Sequence, residues 1–269
     1  MRHTMRAATL VAALTTALLV CASGAAAAPS PGYGEFTGCP SRSVDPAIFA
    51  CQITTVHDGH LKLGTKNTPI DDPIKLVAGV KENGDQVVGT FDGGRQRVPG
   101  GLIGITGLDW LTYLFPNTIL GLYAEAELAG PVGNVFAEEL TMPLKVRLDN
   151  VLLTSNCYIG SNSNPIPLSL TTGTTNPPPP ALPLTGQQGT PVEDPNLPGV
   201  YRSTGVKLVD NEFAVPSAQG CGLLNYGLIN TLVNVQAGLP SPAGKNETVQ
   251  YATGTLGVIE AIYQPDGVD

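Results

Sequence analysis

Strict alternation of apolar and polar residues constrains this chain most. Over residues 119–129, Leu120, Leu122, Ala124, Ala126 and Leu128 fall on one side, and Tyr123, Glu125 and Glu127 fall on the other. That is the period-two pattern of a half-buried strand. Residues 144–152 alternate too, with Lys145, Arg147 and Asp149 outward. If the two strands pair, Glu125 and Glu127 meet Lys145 and Arg147 across the ladder, which makes them a solvated charged face and not a catalytic carboxylate pair. Elsewhere 32 glycines and 24 prolines cut the chain into short pieces, and neither residue suits a helix interior. The expected fold is mainly β, an antiparallel sandwich or barrel made from two similar β units, each with one short helix.

Turn chemistry adds detail. Asp58-Gly59 and Asn83-Gly84 each sit between two β-prone runs and predict tight hairpins, because such turns need positive φ. Residues 102–115 and 223–236 predict the helices. The second has Leu224, Leu228, Leu232 and Val235 near helical spacing and stops at Gly238 and Pro240. Residues 171–196 contain four consecutive prolines, Pro177 to Pro180. Proline donates no hydrogen bond, so this stretch is expected to run over the surface outside the sheet.

Two halves of the chain share an order of features. Thr68-Pro-Ile-Asp-Asp-Pro73 resembles Thr190-Pro-Val-Glu-Asp-Pro195, and Val98-Pro99 and Val215-Pro216 each precede an expected helix and a closing strand. Cys51-Gln-Ile53 and Cys157-Tyr-Ile159 each open a strand–turn–strand. The collinearity predicts an internal duplication, with a first unit over 28–150 and a second over 151–269.

Residues 1–27 read as a signal peptide. Arg2 and Arg6 precede an apolar run, and Ala25 and Ala27 form an A-x-A cleavage pattern. The run is too short for a comfortable membrane span, so no transmembrane helix is expected after cleavage. Removing it takes two basic residues from a chain already at −8. No basic run is left, which argues against a nucleic-acid partner. Four cysteines follow the leader: Cys39, Cys51, Cys157 and Cys221. An even number outside the cytoplasm predicts two disulfides. Pairing neighbours along the chain gives Cys39–Cys51 and Cys157–Cys221, worth about 3 and about 4 kcal/mol on the chain-entropy account.

Catalytic patterns are sparse. After the leader the only histidines are His57 and His60, which flank Asp58-Gly59 and would face one another across a two-residue hairpin. With Asp58 they form at best a weak metal site, short of the ligands a structural zinc needs. No G-x-S-x-G elbow, phosphate loop or dinucleotide fingerprint occurs in the expected context, so neither a catalytic residue nor a cofactor is assigned. Glycoside hydrolysis needs only two carboxylates, and Asp71, Asp72, Glu193 and Asp194 are the candidates, although such Asp-Pro groups are more often turn residues. The lone tryptophan, Trp110, sits in an apolar stretch and reads as core. Asn246-Glu-Thr248 matches a glycosylation sequon.

Ser155-Asn-Cys-Tyr-Ile-Gly-Ser161, Leu168-Ser-Leu-Thr-Thr-Gly-Thr174, the proline run, Cys39, Cys51 and Val98-Pro-Gly-Gly101 together resemble a group of uncharacterised secreted proteins of actinobacteria. The resemblance covers most of the chain after the leader. It implies secretion or attachment to the cell envelope and assigns no activity. The expectation is a secreted or envelope-associated, non-catalytic β protein, a structural or binding module whose partner is a cell-wall polymer or an envelope protein. The alternatives are a secreted carboxylate-dependent hydrolase of cell-wall or extracellular glycans, and a pore-forming envelope protein.

Overall fold

A computed structural model describes residues 28–102, 121–222 and 227–263. The expected leader, the expected helix over 102–115 except its first residue, Leu102, and the residues Trp110 and Leu224 lie outside them. The fold is mainly β. In chain order the strands are β1 (Ile48–Leu63), β2 (Lys66–Pro69), β3 (Ile74–Lys81), β4 (Gln86–Asp92), β5 (Arg95–Arg97), β6 (Tyr123–Leu128) and β7 (Glu139–Asp149). They continue with β8 (Tyr158–Ile159), β9 (Ile166–Thr171), β10 (Thr190–Glu193), β11 (Val200–Asp210), β12 (Ala218–Gln219) and β13 (Glu247–Val258). Two α-helices are described, α1 (Leu228–Ala237) and α2 (Ile259–Ile262), besides a short 3-10 helix over Gly34–Phe36.

All thirteen strands belong to one antiparallel sheet. Its main path runs β4-β3-β1-β13-β11-β9-β7, and β6 and then β5 continue from the other edge of β7. The two ends of this path meet, with β6 beside β4 and β5 beside β2, so the sheet curls into a barrel. Where β4 ends, Gly93 packs so tightly on β6 that a Cβ there would lie 1.9 Å from the Ala126 carbonyl oxygen. Only glycine permits that approach. The β6–β7 loop secures the same seam from above: Asn134 Nδ2 donates to the Asn83 carbonyl and the Gln86 side chain donates to the Gly133 carbonyl.

The expected β6–β7 pairing is present in register, Glu125 opposite Arg147 and Glu127 opposite Lys145. Arg147 bridges both glutamates and Lys145 pairs with Glu127. The Asn83-Gly84 hairpin also forms, joining β3 to β4. Asp58-Gly59 does not turn. A bulge between Val56 and Asp58 lets β1 run on through sixteen residues beside β13. Gly59 is needed there because a Cβ would collide with the Val249 carbonyl oxygen, 2.0 Å away. The actual turn is Gly64-Thr65, with Gly64 at φ +60°.

The proline-rich stretch also departs from expectation. Thr174 bridges Thr185, Gln187 bridges Lys207, and Pro191 lies inside β10, paired with β11. An edge strand needs inward N–H groups only at alternate residues, so proline fits where its missing donor would point outward.

Two buried side chains close gaps that backbone ladders leave open. Gln96, on β5, accepts the N–H groups of Asp71 and Asp72 at 2.8 and 3.0 Å and donates to the Asp72 carbonyl at 2.5 Å. It thus ties β5 to the β2–β3 connection. Between β9 and β11 only Val209 and Thr171 pair. Beside that pair Asp210, 1% exposed, accepts the Ser169 N–H at 2.6 Å and the Glu212 N–H at 2.8 Å.

The N-terminal segment and α2 cover one outer face of the barrel. Tyr33, Phe36, Cys39, Ile48, Cys51, Ile53, Val77, Val200, Ile259 and Ile262 form a compact cluster there. The Cys39–Cys51 disulfide pins the segment to β1, and Arg202 joins Glu35 to Asp194. The Arg202 guanidinium holds the Asp194 carboxyl below its ordinary value. The second disulfide, Cys157–Cys221, ties the β7–β8 connection to the chain after β12. Both pairings are the expected ones.

α1 caps one end of the barrel, with a different face inward from the one its leucines suggested. Val233 and Ala237 are buried in the main core, whereas Leu228 and Val235 are 75% and 73% exposed. The reason is polar. Asn230 accepts the Cys221 N–H and Asn234 exchanges two hydrogen bonds with the Ala218 backbone. These two residues are four apart and therefore share a helix face, and they turn that face inward.

Two outcomes test these gap-closing contacts. Gln96→Ala removes three hydrogen bonds to the Asp71 and Asp72 backbone and should lower unfolding stability by about 1 to 2 kcal/mol in urea titration. Burial raises the Asp210 carboxyl above its ordinary 3.8, against the pull of its two N–H donors. The native state then holds a proton the unfolded chain has lost. Its contribution is complete below about pH 4 and is lost as pH rises through the folded value. Stability should fall across that interval, and Asp210→Asn should remove that part of the slope in urea midpoints measured against pH.

Candidate functional site

The inward residues of the strands line three neighbouring spaces along the barrel that share wall residues. The middle one is a neck of about 40 Å³. Eight strands line it: β1 (Thr54, Val56), β3 (Ile74, Leu76), β4 (Phe91), β6 (Ala126), β7 (Leu140, Met142, Leu144), β9 (Leu170), β11 (Leu208) and β13 (Gln250). Even positions of β7 point in, while odd positions carry Glu139, Lys145, Arg147 and Asp149 on the outer face. The pleat dictates this division.

On the α1 side the neck adjoins an apolar chamber of about 70 Å³, which shares Ile74 and Ala126 with it. Leu61 and Leu63 of β1, Val98, Leu122, Val146, Leu148 and Val233 form its walls. On the other side the neck shares Thr54, Leu140, Leu170 and Leu208 with a mouth of about 540 Å³. The mouth falls within the usual range for small-molecule pockets. Its walls are more polar and include Gln52, Ser203, Thr253 and the β6–β7 loop from Val135 to Glu138. A polar mouth takes up water, whereas chambers this small and apolar stay dry.

The arrangement has the dimensions of a ligand site. Among the described lining residues the neck has no ionisable group, the mouth has only Glu138 and the chamber only Lys66. Among the described residues no group of three or more His, Cys, Asp or Glu could hold a metal ion.

The residues singled out from sequence lie elsewhere. His57 is the exposed bulge residue of β1, and His60 lies on the same strand, 3.3 Å from Glu247. The two histidines therefore do not face each other across a hairpin, because the strand continues through Asp58-Gly59. Asp71 and Asp72 occupy the β2–β3 connection, where Asp72 accepts the Arg95 N–H at 2.8 Å. Glu193 ends β10, and Asp194 accepts the Asn196 N–H and the Arg202 Nε–H. No hydrogen bond or ion pair joins Asp71 or Asp72 to Glu193 or Asp194 among the described residues. Asp72 and Asp194 serve their own loops. The sequon residue Asn246 is 1% exposed, accepts the Gly64 N–H and donates to the Phe213, Ser241 and Pro242 carbonyls, so the folded chain offers no glycan acceptor there.

The cavity residues were missed from sequence. Their signal was the polar interruptions on inward strand faces, Thr54 between Gln52 and Val56 and Gln250 between Thr248 and Ala252. Polar atoms on a buried face need a partner, and a ligand is one such partner. No protein-family model, curated protein or solved structure matches this chain.

The histidines give a direct check. Replacing His57 and His60 together by alanine should shift stability by less than about 1 kcal/mol, since the His60–Glu247 contact is a surface pair. Nickel retention on a chelating resin should disappear. Failure of the double variant to fold would show that the bulge depends on these rings.

Proposed function

We propose that this protein is a non-catalytic binding module of the cell exterior that takes a small apolar or amphipathic molecule into its barrel. One observation carries the reading: inward residues of eight strands line a mostly apolar neck whose wall residues also line an apolar chamber on one side and a larger, more polar mouth on the other. Interiors of small barrels are either filled by side chains or kept open for a ligand. Placement outside the cytoplasm is supported by two disulfides and by the expected leader. No helix among the described residues is long and apolar enough to cross a membrane.

The polarity of the wall bears on the pore alternative. A membrane barrel carries an apolar band outside and polar groups inside. Here the charged ladder of β6 and β7 lies outside and the aliphatic residues lie inside, which favours a container over a channel. The hydrolase alternative would need paired carboxylates in a cleft, and here Asp72 is held by the Arg95 N–H of β5 while Asp194 is held by the Arg202 guanidinium of β11.

Titration of the purified, oxidised protein with the uncharged dye Nile red tests the proposal. The expected result is saturable binding with a blue-shifted emission. Ser203→Phe narrows the mouth, the one of the three spaces large enough for this dye, and should weaken its binding at least tenfold. Absence of saturable binding to the unaltered protein would overturn the proposal.

A further inference from the structure

We infer, resting on the binding reading above, that the mouth selects a compact organic cation: an amine or quaternary ammonium group carried on an apolar body. The mouth alone suffices for such a ligand. Its volume of about 540 Å³ has room for a body of one or two rings. The neck and chamber, about 40 and 70 Å³, need take no part.

Three features of the mouth favour a positive charge. No lysine, arginine or histidine is among its described lining residues. Its one ionisable lining group is Glu138, which is exposed, and among the described residues the Glu138 carboxylate has no hydrogen-bond or ion-pair partner. Two residues earlier on the same β6–β7 loop stands Phe136, the only aromatic among the described lining residues. It is 64% exposed.

Phe136 is nonetheless held in place. Its ring packs against Gly84 of the β3–β4 hairpin so closely that a Cβ on Gly84 would lie 2.5 Å from the ring. Its N–H donates to Asn134 Oδ1 at 2.8 Å, and Asn134 is itself tied to Asn83. The loop therefore offers a fixed aromatic surface beside an unpaired carboxylate. The negative face of an aromatic ring attracts a cation, and the carboxylate adds a charge of the same preference.

An anion meets the opposite. It would give up part of its hydration with no cation to replace it, and it would face Glu138 and the field of a chain at −8. A cation gains from each of these. Leu140, Leu170 and Leu208, where the mouth adjoins the neck, supply the surface for the apolar body. The charged end stays at the rim, where Phe136 and Glu138 are exposed and water remains. At such a site water screens the carboxylate and weakens the ring's attraction, so the two together give a preference of about five- to tenfold. Added salt should reduce the Glu138 share of it.

Displacement of Nile red at neutral pH by three ligands built on one naphthalene body tests the inference. The ligands are (2-naphthylmethyl)trimethylammonium, the uncharged 2-naphthylmethanol and the anion 2-naphthaleneacetate. The cation should bind about five- to tenfold tighter than the alcohol, with the anion weakest. Glu138→Gln and Phe136→Leu, each close in size to the native residue, should each weaken the cation about threefold and leave the alcohol unchanged. Thermal melts would verify that both variants are folded. Alcohol or anion binding as tightly as the cation would overturn the inference and leave the binding reading standing. So would variants that weaken all three ligands alike, or failure of all three to displace bound Nile red. Absence of saturable Nile red binding to the unaltered protein would be the failure of the binding reading itself.

Discussion

Curling one sheet until its ends meet leaves edges that backbone ladders do not join, and the rest of this structure depends on how those edges are closed. A buried strand edge with unpaired N–H and C=O groups is costly. At the β2–β5 edge, Gln96 satisfies three backbone groups at once. At the β9–β11 edge, Asp210 takes two N–H groups that no strand reaches. At the β4–β6 edge the solution is steric, with Gly93 letting two backbones touch. Each device replaces several ladder hydrogen bonds with one residue. The interior can therefore stay wider than a fully laddered, fully packed barrel would allow.

The space survives because the molecule is held from outside. The disulfide-pinned N-terminal segment, α2 and the Glu35–Arg202–Asp194 bridge clamp one face. At the far end α1 is fixed by Asn230 and Asn234 and by bonds from Thr65 to its last carbonyls. Stability supplied by these outer contacts relieves the barrel axis of the need for complete packing.

Much of the architecture was legible from local pattern. The charged face of β6 and β7 followed from period-two alternation, down to which glutamate meets which base. The cysteine pairing followed from chain order. The misreadings share one cause, since each took a local motif without its neighbour across the sheet. Asp58-Gly59 has the composition of a turn, yet β13 lies against it and demands glycine for clearance. Leu228, Leu232 and Val235 have the spacing of a buried stripe, yet two asparagines with better partners decide which face turns in. Pro191 has the chemistry of a strand breaker, yet an edge position tolerates it.

The site shows the same division more sharply. Sequence by itself determined that the chain makes strands with one apolar face, that its cysteines pair, and that it carries no recognisable catalytic motif, because these depend on neighbours in the chain and on composition. Only the tertiary structure decided that the apolar faces look inward around a common axis, that Gln96 and Asp210 hold the edges, and that a polar mouth lies beside an apolar interior. Closure brings together residues from Gln52 to Gly254, and such long-range proximity is set by sheet order and curvature, which no local periodicity encodes.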